Sequence, residues 1–401
     1  MRFIKLGECN KKMIYPLIAS LGGAIFNIIL YLFQDDAEIN NHPFVLGINA
    51  GLGMSLAIFP FLYINKFTKY KEEKQLENIE TNNIGLNIKN KFFFKIEKYI
   101  FLILCAFLDF LQKILIFLFS YNLTNNVWIF NIIFLNAFSF MLYNHKLYKH
   151  QYLSSTIMVI FGLALNSINL KEMKSNEIPI LFLSILIEII YSLAIVLAKY
   201  AMEFRFCSPF EVTFYEGFFS LLLNIIFLII STNIPLNDDF HYSKILKTTE
   251  YDGKKYLDNF YAYINNSNLK EILIFIVTML GRVLFNLFSH LTIKYFTSSH
   301  VIIILIFGEL ALAFTGNFSW KTVFTIIVFI FEFILILIFC EIIELHFCRL
   351  EVNTKKNIRK RVLEENDVDF TMLRSLGMEN EINDEITKDN DSLGIIELGI
   401  N

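Results

Sequence analysis

The chain has 401 residues, of which 55% are hydrophobic and only 18% are charged. Because globular domains carry about 25% charged residues, this composition argues against a soluble protein. The net charge of −3, without a basic stripe interleaved with aromatic residues, argues against a nucleic-acid partner. The five cysteines do not have the paired spacing of a zinc or redox site, so we expect no metal and no cofactor.

Ten apolar segments follow one another along the chain, each about 17 to 25 residues long, which is the length that crosses a bilayer. They occupy residues 13–33, 43–64, 98–120, 126–143, 151–170, 177–200, 210–232, 269–293, 299–316 and 321–344. A segment in lipid must satisfy its own backbone hydrogen bonds, so each is expected to be a helix. The sequence therefore predicts an all-α membrane protein with ten transmembrane helices.

Lysine and arginine residues indicate the orientation of these spans. Loops on the side of the N-terminus hold 23 of them, against eight on the opposite side. The positive-inside rule then places both termini, residues 1–12 and 350–401, in the cytosol. The loop 233–268 faces the lumen or the exterior. The tail 350–401 has twelve Asp or Glu residues and little apolar periodicity, which predicts a disordered acidic segment.

An internal repeat divides the spans into two halves, residues 13–170 and 177–344. The turn at 121–127 (YNLTNNV) leads into the fourth span, and the turn at 294–301 (KYFTSSHV) leads into the ninth, 173 residues later. Each turn precedes a short apolar span, a polar turn and another span. Because five is odd, the second half enters the membrane from the opposite side. This pattern predicts an inverted repeat, which is common among secondary transporters.

The most specific motif is the segment 208–217, which reads SPFEVTFYEG. It resembles the proline, short spacer and aromatic-Glu-Gly entry to the seventh helix in the solute-carrier-35, nucleotide-sugar-transporter-like branch of the drug/metabolite transporter superfamily. That branch also contains the chloroquine-resistance-type transporters. The LYKHQ run at 147–151 and the Leu/Phe-Thr-x-x turns before the fourth and ninth spans are shared with it. The resemblance covers nearly all of 13–345 and implies the EamA-like fold of two inverted five-helix repeats.

Two features depart from the pattern of that branch. Relatives commonly carry an acidic pair near the end of the sixth helix, where this chain has Ala198 and Lys199. Chloroquine-type relatives have cysteines in the long lumenal loop, and this chain has none at 233–268. The resemblance therefore implies a fold and a transport activity without defining a substrate.

Ionisable residues within the spans are the candidate solute or proton sites, because each costs about 2.5–3.5 kcal/mol to insert at mid-helix. Asp109 and Lys113 lie four residues apart on one face of the third span. They form either a self-neutralising pair or a cavity-facing site. Arg282, in the eighth span, needs an anion, which is either a protein carboxylate or a group on the solute. Glu188 and Glu309 are central in the sixth and ninth spans; they serve proton coupling or hold helices together.

Other residues have a structural interpretation. Gly47 and Gly51 form a GxxxG pattern in the second span, which is typical of close helix contacts. Glu216, followed by Gly217, lies near the start of the seventh span, where a carboxylate stabilises a helix N-terminus. His290 and His300 flank the predicted cytosolic end of the eighth span, with no carboxylate cluster beside them.

These patterns predict a secondary transporter that moves a small polar solute by alternating access, with proton coupling as one option. No catalytic motif indicates an enzyme: HExxH, GxSxG and a phosphate-binding glycine loop are all missing from the sequence. Arg282 and Lys113 suit an anionic solute, whereas Glu188 and Glu309 suit a cationic one. The alternative is a non-transporting receptor or scaffold on the same fold, which the acidic tail favours.

The expected partners are the lipid bilayer and a small-molecule solute. We expect a monomer or a homodimer. The resemblance implies that the tenth span lies at the periphery or at a dimer contact, so we expect no transport role for its Glu332. An endomembrane, either Golgi and endoplasmic reticulum or lysosome and vacuole, is favoured over the plasma membrane.

Overall fold

The computed structural model describes residues 4–6, 14–32, 38–63, 88–118, 130–143, 148–170, 178–205, 207–236, 248–305, 320–339 and 343–345. Most of these residues are helical. The principal helices are α1 (Ile14–Leu32), α2 (Pro43–Ser55), α3 (Ile88–Leu118), α4 (Asn131–Tyr143), α5 (Lys149–Leu170), α6 (Ile178–Phe204), α7 (Pro209–Asn233), α8 (Leu269–Tyr295), α9 (301–305) and α10 (Trp320–Phe339).

Short elements complete the described part of the chain. A 3-10 helix at Glu38–Asn41 precedes α2, and another at Ser298–His300 precedes α9. Between α7 and α8 lie strands β2 (Thr249–Tyr251) and β3 (Lys254–Tyr256) and a short helix at Phe260–Asn266. Strand β1 (Ile4–Leu6), before α1, pairs antiparallel with β4 (Ile343–Leu345), after α10.

Among the described residues, five helical segments are long and apolar enough to cross a membrane. They are Pro43–Tyr63, Ile96–Leu118, Phe182–Phe204, Pro209–Asn233 and Leu269–Tyr295. The first of these includes α2, a turn at residues 56–57 and a helical continuation to Tyr63. Such apolar helices satisfy their backbone hydrogen bonds internally, as a bilayer requires. The chain is therefore a mostly helical integral membrane protein, as its composition predicts.

The helices pack in pairs that are distant in sequence. α1 packs along α8, α2 along α7, and α3 along both α6 and α7. α2 also contacts α8, α4 packs on α6, and α5 packs on α10. Each of these pairs joins a helix from α1–α5 to a helix from α6–α10. The two sets of helices are consequently interleaved, and their contacts form much of the interior of the protein.

Glycines bring α2 and α7 together at backbone distance. A Cβ atom added to Gly217 of α7 would lie 2.5 Å from the backbone nitrogen of Ser55. One added to Gly51 of α2 would lie 2.8 Å from the backbone nitrogen of Leu221. Gly47 faces the same helix, where an added Cβ would overlap the Asn224 amide. Only glycine leaves room for so close an approach of two helices.

The contact between α1 and α8 also depends on glycine. A Cβ atom on Gly22 would lie 2.6 Å from the backbone nitrogen of Phe285, and one on Gly281 would lie 3.0 Å from the Gly22 carbonyl oxygen. The glycines of the two helices therefore face each other, and the backbones pack without intervening side chains.

The start of α7 follows directly from its sequence. The Ser208 side chain accepts a hydrogen bond from the Glu211 backbone nitrogen, and the Glu211 side chain accepts one from the Ser208 backbone nitrogen. Pro209 occupies the first turn, where its missing N–H group costs nothing. This capping box fixes where α7 begins, and it thereby sets the position of the polar residues further along the helix.

Candidate functional site

Tyr191 marks the region where the buried charged groups converge. This partly buried tyrosine of α6 lies within electrostatic range of four charged side chains, which are Glu188, Asp109, Arg282 and Glu216. They belong to α6, α3, α8 and α7 respectively. The packing of the helices therefore gathers polar groups from distant parts of the chain around one point inside the bundle.

Asp109 and Lys113 form an ion pair on α3, with 2.6 Å between the Lys113 Nζ atom and an Asp109 carboxylate oxygen. The Lys113 Nζ atom also lies 3.1 Å from the sulfur of Met54, a residue of α2. Lys113 is buried, at 4% exposure, so its charge needs such a partner. The pair thus neutralises itself and at the same time connects α3 to α2.

Glu188 is held by neutral groups. The Asn131 side-chain amide of α4 donates a hydrogen bond of 2.6 Å to the Glu188 carboxylate. The Asn131 carbonyl oxygen in turn accepts one of 2.7 Å from the Ser192 hydroxyl. In the part of the chain that the structure describes, Glu188 makes no ion pair with either Arg282 or Lys113. Glu188 consequently joins α6 to α4 through an uncharged network.

Arg282 lies against aromatic rings. Its guanidinium carbon is 3.5 Å from the centroid of the Phe26 ring on α1 and 5.7 Å from that of Phe117 on α3. Attraction between a cation and the face of an aromatic ring stabilises such an arrangement, more strongly where water is excluded. The sequence predicted an anionic partner for Arg282. The structure adds two aromatic partners, which link α8 to α1 and α3.

Glu216 and His290 form a contact that the sequence did not indicate. A Glu216 carboxylate oxygen of α7 lies 3.2 Å from the Nε2 atom of His290 on α8, and both side chains are buried. The α7 N-terminus is capped by Ser208 and Glu211, so the capping role expected for Glu216 is filled by other residues. His290 thus has one neighbouring carboxylate, which comes from α7 because α7 and α8 pack together.

The remaining sequence-predicted residues lie elsewhere. Glu309, the turn at 121–127 and the tail at 350–401 fall outside the described residues. Glu332 of α10 is fully buried near α5, and neither of its carboxylate oxygens has a hydrogen-bond partner among the residues that the structure describes. It is not among the charged groups in electrostatic range of Tyr191.

At one end of the bundle, a carboxylate fastens the start of α2. The Asp258 carboxylate lies 2.6 Å from the Nδ1 atom of His42, and both side chains are fully buried. It also accepts hydrogen bonds from the backbone nitrogens of Phe44, at 2.7 Å, and Val45, at 3.3 Å. Backbone N–H groups at a helix N-terminus are natural partners of a carboxylate.

A second carboxylate reinforces this attachment. Glu271, in the first turn of α8, accepts hydrogen bonds from the backbone nitrogens of Glu38, at 2.9 Å, and Ile39, at 3.4 Å. The Tyr263 ring packs edge-on against His42, and burial raises the pKa of its phenol, so the ring stays uncharged there. We call His42, Asp258 and Glu271 together the α2 clamp. It joins the segment before α2 to the segment before α8.

The opposite end of the bundle is joined by two lysines. The Lys199 ammonium group of α6 donates to the Phe296 carbonyl oxygen at 2.7 Å, just after α8. The Lys294 ammonium group of α8 donates in return to the Met202 carbonyl oxygen of α6, at 2.8 Å. Lysines at helix C-termini stabilise the unpaired carbonyl groups there. The two lysines thus join the end of α6 to the end of α8.

Comparison with known proteins adds no further constraint. No protein-family model and no curated protein matches the chain. Among the described residues, no group of three or more His, Cys, Asp or Glu side chains could hold a metal ion. The function therefore has to follow from the helix packing and from the charged groups around Tyr191.

Proposed function

We propose that the chain is a multi-pass secondary transporter that moves a small polar solute by alternating access between two inverted five-helix halves, α1–α5 and α6–α10. The helix pairing carries this proposal. In two such halves α1 corresponds to α6, α2 to α7, α3 to α8, and so on. Exchanging each helix for its counterpart turns the pair α1–α8 into the pair α6–α3, and both pairs pack closely. The pair α3 and α7 becomes α8 and α2, which are also in contact.

Two further pairs fit the same exchange. α2 with α7 and α5 with α10 are each converted into themselves, as expected for helices that meet across a two-fold axis. Two similar halves of opposite orientation give this pattern, and many secondary transporters are built from them. The glycine-lined contacts between the halves supply surfaces along which helices can shift.

The charged groups around Tyr191 supply the solute site of this proposal. Buried charges in a membrane protein are costly and are kept where they serve transport or proton movement. Asp109, Glu188, Glu216 and Arg282 come from both halves and meet between them. A solute held there contacts both halves, so its binding favours one arrangement of the halves over the other.

The orientation proposed for the protein is also supported by contacts. Strand β1 before α1 pairs with β4 after α10, which is consistent with an even number of spans and with both termini on one side. The excess of lysine and arginine on that side favours the cytosol. We retain an endomembrane as the favoured location and a monomer or homodimer as the assembly.

Reconstitution of the purified full chain into liposomes tests the proposed function. The vesicles are offered a panel of labelled compounds that includes nucleotide sugars, organic acids, amines and short peptides. We expect saturable exchange of one class. Glu188→Gln, which keeps an acceptor for Asn131 but removes the charge, should lower that exchange strongly. Asp252→Asn, on the exposed β2–β3 turn, is the matched control and should not.

Two results would overturn the transporter proposal. The first is a panel that gives neither exchange nor a compound-dependent rise in thermal stability. The second concerns the inverted halves. Cysteines introduced as Asn41→Cys and Ser243→Cys should react with an impermeant thiol reagent from the side opposite to the tail. Reaction from the same side as the tail contradicts the inverted arrangement.

The alternative is a non-transporting receptor or scaffold, which the twelve acidic residues of the tail 350–401 favour. Deletion of the residues after Arg361 separates the two functions. Transport depends on the helices and should survive this deletion. A role in recruiting a partner through the acidic tail should be lost.

A further inference from the structure

The Thr213 hydroxyl determines where the hydrogen atoms of His290 lie. The Thr213 Oγ1 atom is 2.8 Å from the Pro209 carbonyl oxygen and 2.9 Å from the His290 Nδ1 atom. A hydroxyl group has a single hydrogen atom, and a carbonyl oxygen can only accept. If the hydrogen pointed at His290, two oxygen lone pairs would face each other at the Pro209 contact. Thr213 therefore donates to Pro209 and accepts from the Nδ1–H group of His290.

This assignment leaves the other ring nitrogen of His290 facing Glu216. The Nε2 atom and the carboxylate oxygen are 3.2 Å apart, and two lone pairs at that distance repel each other. One proton between the two atoms removes the repulsion. It is bonded either to Nε2, giving an imidazolium beside a carboxylate, or to the oxygen, giving a neutral imidazole beside a carboxylic acid. The pair is electrically neutral in both forms, and we call it the 216–290 pair.

Little else holds the proton in place. Among the described residues, Glu216 has no hydrogen bond to a backbone N–H group, which would favour the ionised form in the way seen at Asp258. The proton can therefore shift between nitrogen and oxygen while the heavy atoms stay where they are. When it leaves to water, an N–H or O–H bond breaks and a carboxylate remains beside a neutral imidazole. The pair then carries one negative charge, and the two lone pairs push α7 and α8 apart.

The 216–290 pair lies beside the proposed solute site. Asp109 is within electrostatic range of both Glu216 and His290, and it is itself paired with Lys113. Among the described residues, Cys105 of α3 and Tyr191 of α6 are also within electrostatic range of Glu216. Loss of the proton therefore changes the charge beside Asp109.

The pair is also next to the contact between the two halves. Gly217 follows Glu216 and packs against the backbone of α2 at Ser55. A movement of α7 away from α8 would consequently change the α2–α7 contact as well. One turn of α7 therefore carries both the proton-binding Glu216 and the glycine that contacts the other half.

We propose that the 216–290 pair is the proton-binding site of the transporter, occupied in one arrangement of the halves and emptied in the other. Only one part of this inference rests on the proposed transport function, namely that proton binding is coupled to transport. The binding of a proton by the pair is a property of the protein at rest and can be measured without any solute.

Infrared difference spectroscopy between acidic and alkaline pH tests proton binding in the purified full chain in lipid. We expect one titration, seen in either the carboxyl or the imidazole bands, whose midpoint moves in both Glu216→Gln and His290→Gln. Thr213→Val removes the acceptor of the Nδ1–H group and should move the midpoint of that titration. Thr213→Ser keeps the hydroxyl, so its midpoint should equal that of the natural protein. A role of Thr213 in packing alone does not predict this difference between valine and serine. If the titrations of Glu216→Gln and of the natural protein are identical, the proposal is overturned.

Liposomes test the coupling role with a labelled compound that exchanges in the panel described above. The measured quantity is the ratio of uptake with a pH gradient to uptake without one. This ratio should exceed one in the natural protein and fall close to one in Glu216→Gln, whatever the absolute rate. An unchanged ratio overturns the coupling. If no compound exchanges, the transporter function and the coupling fail together, and the infrared titration still decides whether the pair binds a proton.

Discussion

Two buried histidines, His42 and His290, each lie beside a carboxylate, but the surroundings of the two carboxylates differ. Asp258 accepts from two backbone nitrogens at the start of α2 in addition to its contact with His42. Glu216 has only His290 within the described residues. A carboxylate surrounded by fixed donors acts as a structural fastening, because no proton has to move for it to be satisfied. A carboxylate that shares one proton with an imidazole can exchange that proton.

Their positions in the bundle agree with this distinction. The α2 clamp lies where loops meet at one end, and it joins the segments before α2 and α8. The 216–290 pair lies between helices, beside charged groups from both halves. The clamp should therefore determine stability, and the pair should determine the response to protons.

The largest expected effect is at the clamp. Asp258→Ala leaves the His42 Nδ1 atom and the backbone N–H groups of Phe44 and Val45 without their carboxylate partner, although His42 Nε2 still contacts Glu38. Removing one partner of a buried ionic contact costs about 3–5 kcal/mol, and the free energy of unfolding in detergent should fall by that amount. Asp252→Asn, on the exposed turn between β2 and β3, is the control and should change little. A loss in Asp258→Ala no larger than in the control contradicts the structural role of the clamp.

A smaller effect is expected where the pair adjoins the other half. Gly217→Ala places a Cβ atom 2.5 Å from the Ser55 backbone nitrogen, so α7 must move away from α2. Overpacking of this kind costs about 1–3 kcal/mol, measured as a fall in thermal stability. Gly281→Ala, whose nearest contact is 3.0 Å, should cost less. The infrared titration of the pair should also change in Gly217→Ala. An unchanged titration would show that proton binding by the pair does not depend on the α2–α7 contact.

The smallest effect on stability is expected at the pair itself. In Glu216→Gln the side-chain amide can donate to the His290 Nε2 atom, so the contact is kept with its hydrogen fixed in place. The loss of stability should be about 1 kcal/mol or less. Asp258→Asn is the matched change at the clamp and should cost more, since its amide group faces donors. Equal losses in the two variants would remove the distinction between the two carboxylates.

The features that were predictable from sequence are those set by local pattern. Apolar length predicted ten membrane helices, and five of the described helices are long and apolar enough to span a membrane. The spacing of four residues identified the Asp109–Lys113 pair. The capping box at Ser208 and Glu211 is also a local signal. The contacts of His290 and His42 were not predictable, since Thr213 is 77 residues from His290 and Asp258 is 216 from His42. Which residues meet across two helices depends on how far each helix slides along its neighbour. Single-sequence patterns do not encode that register.

The interleaving of the two halves has a consequence for biogenesis. α1 finds its main partner only when α8 has been synthesised, and α2 has to wait for α7. We therefore expect the first five helices to remain loosely associated in the bilayer, or to be held by the insertion machinery, until the later helices have been synthesised. Expressed as separate polypeptides, the two halves should each be sensitive to proteolysis and become resistant when they are co-expressed.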